Sequence, residues 1–275
     1  MTVPEFLRFL ALIQQNGIAE KFGGACYAIT QFSAKVINIY RDFNAWCEDT
    51  GVYICKAIYE LASPLYDEEK KQKLIVCYKG WGQYGWTVNI KSVRETFNVL
   101  PNSQVEADNM MMQYCTIENV SDMLRSIAEK GVKQQDLDEA FLCFQRGMYK
   151  ASTLILFALI DHEFIGMGYR KKDKHGMQGR LKVGESAAKA FYDEKQQEFE
   201  EAFLFTNLWF LNIMECLVTL FADGDDFQNE PDIINRNFVS HGMSQRDVTM
   251  IDCFKVWSAL YSLTVFLTHL EENSE

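Results

Sequence analysis

Two residues offer the most legible chemistry in this 275-residue chain: Arg236 and His241, in the run Arg236-Asn-Phe-Val-Ser-His241. A guanidinium keeps its charge and grips phosphate oxygens with a planar fork. An imidazole can move a proton near neutral pH. Together they are able to cleave RNA without a metal. The base takes the proton of a ribose 2′-OH, the oxygen attacks the adjacent phosphorus, and the guanidinium stabilises the charge that develops. Asn237 is placed to hold the phosphate or to orient the imidazole.

Such a set needs a helix to present it. Pro231 suits the first helical residue, and Gly242 suits the position just past the end. At about 100° per residue, Arg236, Ser240, Asn237 and His241 share one polar arc of roughly 140°, interrupted by Ile233 alone. Ile234, Phe238 and Val239 form an apolar face. His241 then sits at the helix C-terminus. Ser244-Gln-Arg-Asp247 reads as the cap of a following helix. A histidine at a helix end is also simply a good cap, so the spacing leaves catalysis and capping both open.

The elements around this segment read as an all-α fold. Helical periodicity is common and strand signals are scarce. The chain has only four prolines, so long helices are seldom interrupted. Helices are expected at 5–20, at 25–62 with a stop at Pro64, and at 67–78 behind an acidic start. Trp81-Gly-Gln-Tyr-Gly-Trp86 reads as an ordered loop whose rings plug a core edge. A helix over 103–129 opens on the capping box Ser103-Gln-Val-Glu106 and closes at Lys130-Gly131. A boundary near 131–136 divides a helical region 1–132 from a second region 136–275. In the second region a long helix runs from Asp136 to Gly166, followed by helices at 184–196, 199–222 and 245–271.

The formal net charge of −11 argues against a protein that coats duplex with a basic surface. One stretch runs against that total. Residues 170–182 hold Arg170, Lys171, Lys172, Lys174, Arg180 and Lys182 against Asp173, a local sum of six minus one, or +5. It is either an RNA-docking loop or a solvated linker. The acidic run Asp223–Glu230 lacks the glycine and glutamate spacing of an EF-hand, and no metal or other cofactor is expected. His162 and His175 read as surface or packing residues.

Eight cysteines include no C-x-x-C pair and read as buried apolar thiols. The N-terminus shows no signal-peptide pattern. The apolar stretch 203–222 contains Asn207, Asn212 and Glu215 and reads as a buried helix, not a membrane span. A soluble, cytoplasmic protein is expected.

Arg236-Asn237-x-x-x-His241, near the start of the final helices, resembles the signature of the HEPN superfamily. Tyr149-Lys-Ala through Asp161-His-Glu163 resembles that family's first long helix, and Asn235–Met243 with the helix after it resembles its last ones. The resemblance covers about 136–275. The N-terminal half resembles bacterial proteins of the same two-part layout. The family implies an up-and-down helical bundle and, in many members, a metal-independent endoribonuclease of toxin–antitoxin, abortive-infection or CRISPR-linked defence. It implies a homodimer in which two Arg/His sets face each other. Carried over by position, Arg236 binds phosphate, His241 is base or acid, and Asn237 supports them; Asp161, Glu163 and Ser240 stand behind. The products would carry 2′,3′-cyclic phosphate and 5′-hydroxyl ends. The alternative is a non-catalytic dimerisation or nucleotide- or RNA-binding module, with an antitoxin or regulatory partner unnamed. A membrane or nucleic-acid scaffold is disfavoured by charge.

Overall fold

The computed structural model describes residues 68–89, 94–172, 178–200 and 204–272. The helices expected at 5–20 and 25–62, together with Cys26, Cys47, Cys55, Asp173, Lys174 and His175, lie outside the described residues. Of the described residues 72% are helical, which makes the fold all-α. Two compact units are present: Met1–Lys73 with Glu201–Leu204, and Leu74–Glu200 with Phe205–Glu275. Residues 131–136, the boundary expected from the sequence, lie inside the second unit.

Helix α1 (Glu68–Gln83) is followed by a single turn, α2 (Arg94–Phe97), and by α3 (Gln104–Met111). Then come α4 (Ile117–Glu129), α5 (Gln134–Gln145) and α6 (Tyr149–Gly166). A two-stranded antiparallel ribbon, β1 (Arg170–Lys172) and β2 (Gln178–Leu181), interrupts the helices. The chain continues through α7 (Glu185–Glu200), α8 (Leu204–Leu220), the single turn α9 (Gly224–Phe227), α10 (Arg236–Ser240) and α11 (Met250–Glu272). Helix α6 is the hub: it packs on α5, α7, α10 and α11, while α4 packs on α5 and α11.

Several boundaries differ from the sequence expectation, each for a local reason. Helix α1 runs through Trp81 and Gly82, so the aromatic loop starts only at Tyr84-Gly85, where Gly85 takes φ 78°. Gly82 is there for close approach: a Cβ on it would lie 2.5 Å from the Asn212 carbonyl oxygen of α8. Both Trp81 and Trp86 are fully buried, as the loop reading required. The helix expected over 103–129 is two helices, because Thr116 accepts the Asn119 amide and caps α4 afresh. The Ser103 hydroxyl does cap α3 through Glu106 N–H, but the Glu106 carboxylate turns to Asn102 instead of closing the box.

The helix expected over 136–166 is also two. Gly147, at φ 71°, ends α5 with paired bonds from Met148 N–H to Cys143 O and from Gly147 N–H to Phe144 O, the Schellman arrangement. Within 170–182 the described residues include the two strands of the ribbon, Arg170–Lys172 and Gln178–Leu181, where a loop or linker was expected.

Within the apolar stretch 203–222, Leu204–Leu220 is α8, with Leu208, Phe210, Leu211, Ile213, Met214, Cys216, Leu217 and Leu220 buried. Its two asparagines have partners or burial that suit a core helix. Asn212 donates to the Tyr78 and Trp86 carbonyls and accepts from Val88 N–H, tying α8 to the end of α1. Such pairing is what a buried amide requires. Helix α11 is long and apolar enough over Met250–Thr268 to cross a membrane, yet 72% of that window is buried within the protein.

Cys77, Cys115, Cys216 and Cys253 are buried and Cys143 is half-buried, as expected for cysteines used as small hydrophobes. Burial pushes the thiols of Cys115 and Cys216 up to about 12 and that of Cys253 up to about 11.

Candidate functional site

Helix α10 begins later than Pro231. Asn235, in extended backbone, accepts the Asn237 and Phe238 amide N–H groups at 2.9 and 3.3 Å and is the true cap. Asparagine is a favoured cap residue, and Ile233 and Ile234 just ahead of it are both buried. At its far end the helix stops where expected. Gly242 has φ 71°, Met243 N–H donates to Phe238 O, and Gly242 N–H donates to Val239 O. His241 is therefore the C-terminal cap residue of a five-residue helix.

The next helix does not start at Ser244. The Ser244 hydroxyl and Gln245 N–H are both held by the Glu230 carboxylate. Helix α11 starts instead behind Thr249, whose hydroxyl accepts Asp252 N–H while its own N–H donates to Asp252 Oδ2. That is a reciprocal capping box five residues further on.

Two asparagines fix α10 to the end of α8. Asn235 Nδ2 donates to Ala222 O at 2.9 Å. Asn237 Nδ2 donates to Phe221 O and Ala222 O, both at 3.1 Å. Carbonyls at a helix end lack helical partners, and these side chains supply them. Asn237 thus faces inward and, through its Oδ1, accepts Arg236 Nη1 at 3.2 Å. It orients the guanidinium, not the imidazole.

Arg236 is drawn to α6. Its Nε and Nη2 both donate to Asp161 Oδ2, at 3.1 and 2.8 Å, and its side chain stays 28% exposed. Of the five N–H donors of a guanidinium, three are thus engaged among the described residues (Nε, one on Nη1, one on Nη2), which leaves one on each terminal nitrogen without a partner among them. Asp161 Oδ1 is buried and has no hydrogen-bond partner among the described residues. Of the expected supporting residues, Asp161 holds Arg236 and not His241. Glu163 lies one position beyond exposed His162 and is half-buried, and Ser240 is exposed.

His241 is exposed, and its ring lies 5.4 Å from that of Phe227 at 74°. No hydrogen bond to its nitrogens occurs among the described residues. Within one chain, then, Arg236 and His241 turn to different neighbours, Asp161 and Phe227. Five residues of helix separate them by about 140° of rotation and ~7.5 Å of rise, which explains the divergence.

The basic ribbon roots beside the Asp161–Arg236 pair. Lys182 N–H donates to Tyr169 O at the ribbon's base. Gly184, two residues on, packs so closely that an added Cβ would be 3.0 Å from the Phe221 ring and 3.9 Å from Asp161 Oδ1. Arg170 and Arg180 are exposed and Lys182 is half-buried; Lys171 and Lys172 lie in β1. Among the described residues no cluster of His, Cys, Asp and Glu is arranged to hold a metal.

A second polar centre was not anticipated from the sequence. Lys255, 1% exposed on α11, donates to Asp108 Oδ1 at 2.7 Å and sits 5.1 Å from the centre of the Trp86 ring. The same oxygen accepts Trp86 Nε1 and Gln104 Nε2 at 2.8 and 2.9 Å. Burial pulls the Lys255 ammonium below its ordinary range, opposed by Asp108. The available signal was a lone lysine inside the apolar run Cys253-Phe-Lys-Val-Trp257.

No protein-family model, no curated protein and no solved structure matches this chain.

Proposed function

We propose that this chain is a metal-independent, cytoplasmic endoribonuclease of the defence or toxin type, acting as a homodimer. The observation that supports the reading furthest is the state of His241. It is exposed, with both imidazole nitrogens unengaged among the described residues, on a short helix that also carries an arginine with two unused N–H donors. In this reading His241 removes the 2′-OH proton and the oxygen attacks phosphorus. Arg236, steered by Asp161 and Asn237, neutralises the phosphorane oxygens. Helix α10 supplies one imidazole, His241. The acid that protonates the 5′-oxygen leaving group would be His241 of a second copy, which a two-fold arrangement brings in without any new residue. Arg170, Lys171, Lys172, Arg180 and Lys182 would track the RNA backbone.

A second reading has its own support. Arg236 already has an anionic partner in Asp161, as a helical module that binds a nucleotide or dimerises without turnover would show. The two are separated by cutting a labelled single-stranded RNA in EDTA with wild type, Arg236→Ala and His241→Ala, using the 2′-deoxy strand as control. The nuclease reading expects wild-type cleavage, losses of about 10²-fold or more in both variants, and an intact deoxy strand. No cleavage of several RNAs, or equal cleavage by the variants, would leave the module reading.

A further inference from the structure

The turn that holds the ring beside His241 is backbone-strained. Asp226 and Phe227 have φ of 53° and 66°, a left-handed conformation that costs non-glycine residues about 1–2 kcal/mol each. Gly224, also left-handed at φ 64°, lies so close to the Phe238 ring that no side chain fits there. The turn is held shut by Asn229 N–H donating to Gly224 O at 3.1 Å. The outcome is the placement of one ring. Phe227 stands across both Phe238, at 5.3 Å and 71°, and His241, at 5.4 Å and 74°. It is only half-buried, although a fully buried site is open to its neighbour Phe238. A strained turn that holds an aromatic ring at the solvent boundary, beside an exposed imidazole, is a feature to be read for function.

Charge gives this ring a polarity. Asp223 and Asp226 are exposed on the same turn, so a phosphate is repelled from it. The arginine and the basic ribbon lie on the α6 side. A nucleotide entering between them would direct its phosphate toward Arg236 and its uncharged base toward Phe227. We infer that Phe227 is a nucleobase-stacking residue that seats the base next to the scissile phosphate and holds the His241 ring in place. This rests on the phosphate-binding role of Arg236 proposed above. Every base has a π-face, so stacking here would be tolerant of sequence.

The test compares adenosine 5′-monophosphate with ribose 5-phosphate, which differ only by the base, by calorimetry on the full chain. The wild type should bind the nucleotide on the order of tenfold more tightly. Phe227→Leu should erase that ratio and leave ribose 5-phosphate affinity unchanged, and Phe227→Trp should restore the ratio. Arg236→Ala should weaken both ligands together. Saturation transfer from protein to the adenine protons provides a second readout, strong in wild type and in Phe227→Trp. Equal affinities in wild type, or a ratio that survives in Phe227→Leu, would overturn the stacking role. If Arg236→Ala still weakens both ligands, the phosphate site survives that result. Failure of wild type to bind either ligand overturns both.

Discussion

Two aspartate–cation pairs hold parts of this molecule together, and they are built differently. In the first, Asp108 concentrates three donors on one oxygen and the partner, Lys255, is buried to 1% exposure. In the second, Asp161 also uses one oxygen, but its partner Arg236 is 28% exposed and has donors to spare. The first pair closes the end of α1, α3 and α11 around Trp86. The second steadies a residue at the surface. An ammonium buried this far offers no open edge to a ligand. A rim guanidinium held from one side keeps an open edge, and that is the geometry a phosphate site needs.

The largest expected effect comes from breaking the buried pair on its anionic side. Asp108→Ala leaves Lys255 charged and uncompensated and should lower the unfolding free energy by about 3–5 kcal/mol, read by urea denaturation. It also strands the Trp86 and Gln104 donors. Lys255→Met should cost much less, about 1 kcal/mol, because Asp108 is 24% exposed and keeps two donors. In Asp108→Ala/Lys255→Met the loss should be smaller than in Asp108→Ala alone. Strictly additive losses would mean that the two groups do not act as a pair.

Alkaline pH gives a smaller and signed effect. The folded-state value of Lys255 lies below its ordinary 10.5 because of burial. Between the two values the unfolded chain holds a proton that the folded one lacks, so this group makes stability rise with pH. The thiols act the other way. Cys115 and Cys216, raised from 9.0 to about 12, and Cys253, raised to about 11, hold protons in the folded state, so stability falls as pH rises above 9. Wild type should therefore lose stability overall in alkali, while the difference between wild type and Lys255→Met should move in favour of wild type as pH rises. A flat difference curve would show that the lysine keeps its ordinary affinity for the proton.

The two pairs also differ in how far the sequence announced them. The rim site was legible because its residue types carry chemistry and its helix carries punctuation. Gly242 marked the end of α10, Pro231 set its start five residues too early, and Asp161 was named as a partner. The all-α class followed from periodicity. Lys255 escaped because a lysine in an aliphatic helix reads as one polar position on a face, and only tertiary packing from Trp86 and α3 buries it. The breaks at Thr116 and Gly147 escaped because the apolar pattern continues across them and hides the caps. The inward turn of Asn237 could not be seen on a helical wheel, since its partners are carbonyls at the end of another helix.

The smallest effect is the one that decides whether the comparison holds. Asp161→Asn removes the charge from the rim pair while an amide oxygen can still accept from Arg236. With the guanidinium more than a quarter exposed, solvent screens the interaction, and the loss should be no more than about 1 kcal/mol. Urea denaturation of Asp161→Asn beside Asp108→Ala measures the contrast directly. Ribose 5-phosphate affinity should change little, because the two unused donors of Arg236 remain where Asn237 and the new amide hold them. A loss as large as that of Asp108→Ala would place both pairs in the same architectural role. Arg236 would then be an anchor of α10 onto α6, and the exposed His241 would be left without a phosphate-binding companion.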